Sequence, residues 1–172
     1  MNYFELFDIP FSFVFDNTVI RNRYDELIDK YRPAVPGNNA ATNNEKMALI
    51  EEAYVIFQDQ EETIGYLLGL KKLVPDNSYE YSSQFKIEVR DIDEELMELE
   101  LDENQEQLME VEQKVNSLLI KIYEDIDPVI ESYKEDAGAE EALLQVKDFY
   151  FQKIYLQRIL DRINVIRNIV SL

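Results

Sequence analysis

Tyr24-Asp25-Glu26-Leu27-Ile28-Asp29-Lys30-Tyr31-Arg32-Pro33-Ala34 is a helical stretch that its own sequence brings to a stop. Ile20, Tyr24, Leu27, Ile28 and Tyr31 recur at intervals of 4, 3, 1 and 3 residues, which places them on one face of an α-helix. Asp16 or Asn17 is positioned to cap its start. Arg32 precedes a proline, whose ring pushes the residue before it out of helical geometry, so the helix ends there. Residues 33–44 hold two prolines, one glycine and four asparagines and read as an exposed loop. Thr42-x-x-Glu45 then has the form of a capping box, opening a second helix with Met47, Ile50, Tyr54 and Phe57 on one face. Two such helices across a polar loop predict an antiparallel hairpin, with Tyr24, Leu27, Ile28 and Tyr31 packed on Ile50, Tyr54 and Phe57.

Outward from the hairpin the chain stays helical. Asn2-x-x-Glu5 is another capping-box pattern and begins a short helix with Tyr3, Phe4, Leu6 and Phe7, which Pro10 closes. A break near Asp59 leads to a helix containing Ile64, Leu67, Leu68 and Leu70. Residues 73–83, with Pro75, Asp76, Asn77 and several serines, read as a linker between a module at 1–72 and an acidic three-helix bundle at 84–172. The first bundle helix runs from about Phe85 to Leu101, with Ile92, Leu96 and Leu99 inward. The second carries Leu108, Val111, Val115, Leu118, Ile122, Ile126, Val129 and Tyr133, with Pro128 expected to kink or restart it. A turn over 136–139 follows, with Gly138 as a helix C-cap. The last helix buries Phe149, Leu156, Ile159, Ile163, Ile166 and Val170. The predicted fold is all-α, and the heptad-like seams fit helices crossing at shallow angles.

Composition removes whole classes of chemistry. The 172 residues include no cysteine and no histidine. Zinc and iron–sulfur ligation, a Ser-His or Cys-His nucleophile, and a di-iron bundle built on Glu-x-x-His pairs all need one or the other. The glutamates between Glu94 and Glu110 lack both the convergence of a catalytic carboxylate pair and the glycine-bearing loop of an EF-hand, so they read as solvated helix surface. Four isolated glycines make no phosphate-cradling loop. No catalytic residue, cofactor or metal site is expected. The net charge of −19 is concentrated between Pro75 and Ala137, where 20 acids face 5 bases. Such a field repels nucleic acid and anionic membranes and favours, if anything, a basic protein partner. The absence of cysteine, of a signal-like start and of a long apolar run makes the cytoplasm the expected location.

The order of these pieces resembles the HscB-type J-proteins, the co-chaperones of iron–sulfur cluster assembly. The resemblance covers nearly the whole chain. It rests on Tyr3-Phe4-x-Leu6-Phe7, Tyr24-x-x-Leu27-x-x-x-Tyr31-x-Pro33, Ile50-x-x-Ala53-Tyr54 and Tyr66-Leu67-Leu68-x-Leu70, which looks like the family's ending of the J-domain. In the second half it rests on Phe85-x-x-Glu88, Glu94-Glu95-Leu96 and Tyr155-Leu156-Gln157-Arg158-Ile159-Leu160. It implies a J-domain-like hairpin that engages a DnaK-class chaperone and stimulates its ATPase, and a bundle that delivers an iron–sulfur scaffold protein.

Carried over position by position, the resemblance also marks departures. Arg32, Pro33 and Ala34 stand where the family has histidine-proline-aspartate. Only the proline is kept, so ATPase stimulation is expected to be weakened or lost. Arg21, Arg23 and Lys30 would belong to the chaperone-facing helix, but Asp16, Asp25, Glu26 and Asp29 offset them. The scaffold-binding positions are Phe85, Ile87, Glu88, Asp91, Glu94, Phe151 and Tyr155. Here Lys86 replaces a family leucine and Asp93 a family arginine. Phe151 and Tyr155 either form an exposed aromatic stripe or pack on the hairpin or another helix. Two functions remain open: an HscB-like co-chaperone, or a non-chaperone acidic module that keeps the scaffold and binds a basic partner.

Overall fold

The protein, seen in a computed structural model, is described over residues 1–32, 40–102 and 104–170, without the side chains of Ala40, Ile169 and Val170. Among these residues there are seven α-helices and no strand: α1 (Tyr3–Phe7), α2 (Asn17–Tyr31), α3 (Ala40–Gln58), α4 (Gln60–Leu70), α5 (Ser83–Leu99), α6 (Gln105–Ser132) and α7 (Ala139–Val170). None of the helices described is long and apolar enough to cross a membrane. The chain divides into two units, one of residues 1–75 with 130–140, the other of residues 76–129 with 141–172.

In the first unit the local signals act as their chemistry dictates. Asn2 and Glu5 form a reciprocal capping box, and α1 ends on Asp8 in the left-handed region at φ 52°. Asp16 caps α2 by accepting from the Thr18 N–H at 2.7 Å. Arg32 closes α2 in extended geometry at ψ 120°, as a residue before proline must. Asp59 caps α4, and the buried Thr63 hydroxyl donates to the Ile56 carbonyl at 2.9 Å, bridging the break between α3 and α4. The helix after the loop differs from expectation. It starts by Ala40, so Thr42 lies inside the first turns and forms no capping box, because Ala40 and Ala41 are strong helix formers and carry the helix further back. The expected loop residues 33–39 lie outside the described residues.

α2 and α3 pack as the predicted hairpin, but its centre lies deeper than the tyrosines. Ile20, Ile28, Ile50, Ala53 and Phe57 are buried, whereas Tyr24 and Tyr54 are half-buried and stack on each other at 4.3 Å. Phe57 also meets Phe4 at 5.2 Å and Phe7 at 5.3 Å, which ties α1 to the hairpin. Beside it Tyr3 stacks on Tyr66 at 4.5 Å and donates its backbone N–H to the Tyr66 hydroxyl. Phe13, from the connection between α1 and α2, is buried and contacts Tyr133 at 4.8 Å.

The second unit is the three-helix bundle. Its core joins Phe85, Val89, Ile92, Leu96 and Leu99 of α5 to Leu108, Val111 and Val115 of α6 and Leu156, Ile159, Ile163 and Ile166 of α7. Three expectations need correction, and of the two outcomes expected at Pro128 one drops out. Leu101 lies past the end of α5 and is 90% exposed, because the helix closes at Glu100. α6 continues through Pro128 without a restart; one backbone donor is lost, but Ile126 and Ile130 are buried on either side of it and hold the helix. Ile130, not Val129, is the buried residue there. Gly138 is no left-handed C-cap: its φ is not positive, and its N–H donates instead to the Asp136 side chain at 2.9 Å, ahead of α7.

The position of Phe57 sets a stability test. Phe57→Ala, which empties the meeting point of α1 and the hairpin, is expected to cost about 3–5 kcal/mol. Tyr54→Ala, at the half-buried edge, should cost about 1–2 kcal/mol. Denaturant melts of both variants check the order; equal losses, or a larger loss at Tyr54, would contradict the packing.

Candidate protein-interaction site

The residues that the sequence marks on the hairpin are spread along α2, and few of their charges are free. Arg23 reaches Asp8 at 3.1 Å and Glu26 at 3.0 Å. Arg32 meets Asp29 at 3.7 Å, and Lys30 lies 5.3 Å from the Tyr31 ring centroid. Arg21 is exposed and makes no ion pair among the described residues. Pro33 and Ala34 lie outside the described residues. The positive potential offered by α2 is therefore largely cancelled by Asp8 and by acids of α2 itself.

In the bundle, the segment expected as a linker is built into the site. Val74–Pro75 is a cis peptide, and from Asp76 onward the chain is fastened along α7. Asp76 meets Lys147 at 2.7 Å, and Tyr79 donates its hydroxyl to Asp148 at 2.9 Å while its ring stacks on Phe151 at 4.1 Å. Hydrogen bonds from Lys147 and Ser78 hold the Asp76 carboxyl down at about 2. Tyr81 continues the row, 5.2 Å from Phe85 and 5.3 Å from Tyr155. Tyr155 completes it with an edge contact to Phe85 at 5.7 Å and a hydrogen bond donated to Asp93. Burial, reinforced by the Asp93 carboxylate, pushes the Tyr155 phenol up to about 12.

This arrangement decides between the two roles left open for Phe151 and Tyr155. They pack on the Tyr79–Tyr81 segment and on α5, and are half-buried rather than an exposed stripe. Phe85 is buried outright at 3% exposure. Ile87, by contrast, is 54% exposed, and Asp91 and Glu94 are exposed with it. Glu88 is half-buried and salt-bridged to Lys121 at 2.9 Å, and its carboxyl is held below the usual range by Gln84 and Lys121. The seven positions thus split into an aromatic layer beneath and an exposed edge of α5 above. Sequence reasoning missed Tyr79, Tyr81 and Met97, which line the same region. Tyr81, Phe85, Val89, Met97 and Tyr155 border a groove of about 370 Å³ on α5. Among the described residues no three acidic side chains converge as metal ligands.

No protein-family model and no curated protein sequence matches the chain. Solved structures do. The crystal structure of human co-chaperone protein HscB superposes with a TM-score of 0.63 over 96% of this chain and 81% of that one, at 22% identity. Chaperone HscB from Vibrio cholerae superposes with a TM-score of 0.52 over 95% of this chain and 99% of that one, at 21% identity. The fold is that of HscB. The HscB-type fold spans both the hairpin unit and the bundle, so the order of pieces first seen in the sequence is the order of a known architecture.

The Tyr155–Asp93 bond predicts a pH dependence. The folded chain holds the phenol proton that the unfolded chain releases near its ordinary pKa of 10, and keeps it up to about 12. The stabilisation is complete below the lower value and disappears as pH rises through the upper one. Urea midpoints measured across that window should fall more steeply for the wild type than for Tyr155→Phe. Identical slopes would show that the phenol is not held in this way.

Proposed function

We propose that this protein is an HscB-like co-chaperone that links a DnaK-class ATPase chaperone to an iron–sulfur scaffold protein, with its ATPase stimulation weakened or lost. The observation that carries this reading is the HscB-type fold over 96% of the chain, hairpin and bundle together. In this reading residues 1–72 are the chaperone-facing module and residues 84–172 the client-facing one, with no catalytic chemistry in either, acting in the cytoplasm. Docking to the chaperone falls to Arg21, Arg23, Lys30 and the Arg32-Pro33-Ala34 segment. Ala34 has no carboxylate to form a charged contact, and Arg23 and Arg32 are already engaged by carboxylates of their own module. Both features argue for feeble stimulation.

On the client side, Ile87, Asp91 and Glu94 are available to a partner, while Glu88 fixes the edge of α5 through Lys121. Phe85, Phe151 and Tyr155 act by supporting that edge from below. A second reading, a non-chaperone module for a basic partner, draws on the exposed acids Glu94, Glu98, Glu100, Asp102, Glu106 and Glu110. Binding of that kind would weaken sharply with added salt.

The two readings part in one assay. A DnaK-class ATPase, measured with the wild type, should be stimulated little or not at all. The double substitution Arg32→His with Ala34→Asp should raise the rate at least several-fold over the wild type. No gain from the double variant, together with salt-sensitive binding to unrelated basic proteins, would support the acidic module instead.

A further inference from the structure

In the bundle unit, several cations are matched to carboxylates of other elements. Lys114 meets Glu95 at 2.6 Å, Lys121 meets Glu88 at 2.9 Å and Lys147 meets Asp76 at 2.7 Å. Arg162 reaches Asp93 at 3.3 Å and Glu100 at 2.9 Å. Lys86 and Arg90 on α5, and the exposed Arg158 on α7, have no such match among the described residues. Lys86 forms no ion pair among the described residues, and Arg90 touches only its chain neighbour Asp91, at 3.5 Å through Nε, with both side chains exposed. An exposed contact of that kind contributes little. In a chain of net charge −19, cations without a cross-helix carboxylate stand out, and Lys86 and Arg90 are the two such cations on α5.

Their place gives the exception a use. Four residues apart, they lie on one face of α5, separated by about 6 Å along the helix axis. Both border the groove of about 370 Å³ whose apolar lining includes Phe85, Val89 and Met97. Met97 is 62% exposed and unbranched, a side chain suited to mould itself around an incoming apolar group. Asp93, at the same groove, does not cancel the cations, because its carboxylate is occupied by Tyr155 and Arg162. Glu94, one turn beyond Arg90, is the remaining acid of the lining.

We propose that this groove docks a protein segment in which a large apolar side chain is flanked by aspartate or glutamate. The apolar group enters beside Met97, and the flanking carboxylates pair with Lys86 and Arg90. The acidic field along the neighbouring helix faces repels such a segment, so the two cations of α5 favour this groove as its landing place. The proposal rests on the reading of the bundle as client-binding, and it specifies the chemistry of the client. That chemistry is the reverse of the basic partner that net charge alone would favour.

The test uses the full chain and two short fluorescent peptides with the same leucine-rich centre, one flanked by aspartates and the other by lysines. Anisotropy titrations should show the aspartate peptide binding about tenfold or more tightly, a difference of about 1.4 kcal/mol. Lys86→Glu with Arg90→Glu should reverse that order, and Met97→Asp should weaken both peptides; all three positions are exposed, so the variants keep the core. Equal or tighter binding of the lysine peptide, an order unchanged by the charge reversal, or no binding of either peptide would overturn the proposal. Titrating an iron–sulfur scaffold protein in parallel separates the two levels. Peptide preference without scaffold binding leaves the groove standing and removes the co-chaperone reading. Scaffold binding unaffected by the charge reversal, with no peptide preference, removes the groove alone.

Discussion

A chain with no cysteine, no histidine and a charge of −19 has one means of staying folded, the burial of apolar helix faces. Disulfides and histidine-based metal sites are unavailable, and charge repulsion works against compaction. Everything else in the structure is arranged around that constraint. In the bundle, α5, α6 and α7 each contribute a stripe of aliphatic side chains to one core, and the acids are pushed to the outer faces where water solvates them. In the hairpin unit, where helices are shorter, aromatic rings supply the area. Phe4, Phe7 and Phe57 meet at one point and bind a five-residue α1 that could not persist alone.

The same constraint explains how the site is built. The exposed edge of α5 is useful only if it is rigid, and rigidity comes from beneath. Tyr79, Tyr81, Phe85, Phe151 and Tyr155 form a continuous row of rings, pinned by Tyr79 to Asp148, by Tyr155 to Asp93 and by Asp76 to Lys147. Charged groups in this layer are therefore mostly committed to structure. On α5 the exceptions are Lys86 and Arg90. An interaction surface on a highly charged helix is easier to find by asking which charges are unspent than by asking where charge is dense.

Much of the architecture was legible because helical periodicity and capping are local. The Asn2–Glu5 box, the Asp16 cap, the break near Asp59, the stop at Arg32 and the inward rows of α5 and α7 all follow from residues a turn or two apart. What escaped was non-local. Asp76 and Tyr79 sit in a stretch whose proline, asparagine and serines read as linker, yet their partners Lys147 and Asp148 lie 71 and 69 residues away. Phe13 lies between two helices with Phe11 and Phe15 two residues to either side, and no helical periodicity singles it out as the buried one. Tyr155 follows the pattern of a residue rotated off the seam, and nothing nearby in the chain reveals Tyr81 and Asp93 waiting for it. The hairpin helix that starts by Ala40 shows the opposite error: a capping signature was present at Thr42, but alanine propensity outweighed it.

The account stands or falls on whether an HscB-type fold at 22% identity still carries an adaptor's binding function. Isothermal titration of the intact protein with an iron–sulfur scaffold protein from the same source measures this directly. The account predicts saturable heat at one-to-one stoichiometry that survives moderate salt. A flat titration, or heat that vanishes as soon as salt screens the acidic surface, would mean that the fold has outlived the function.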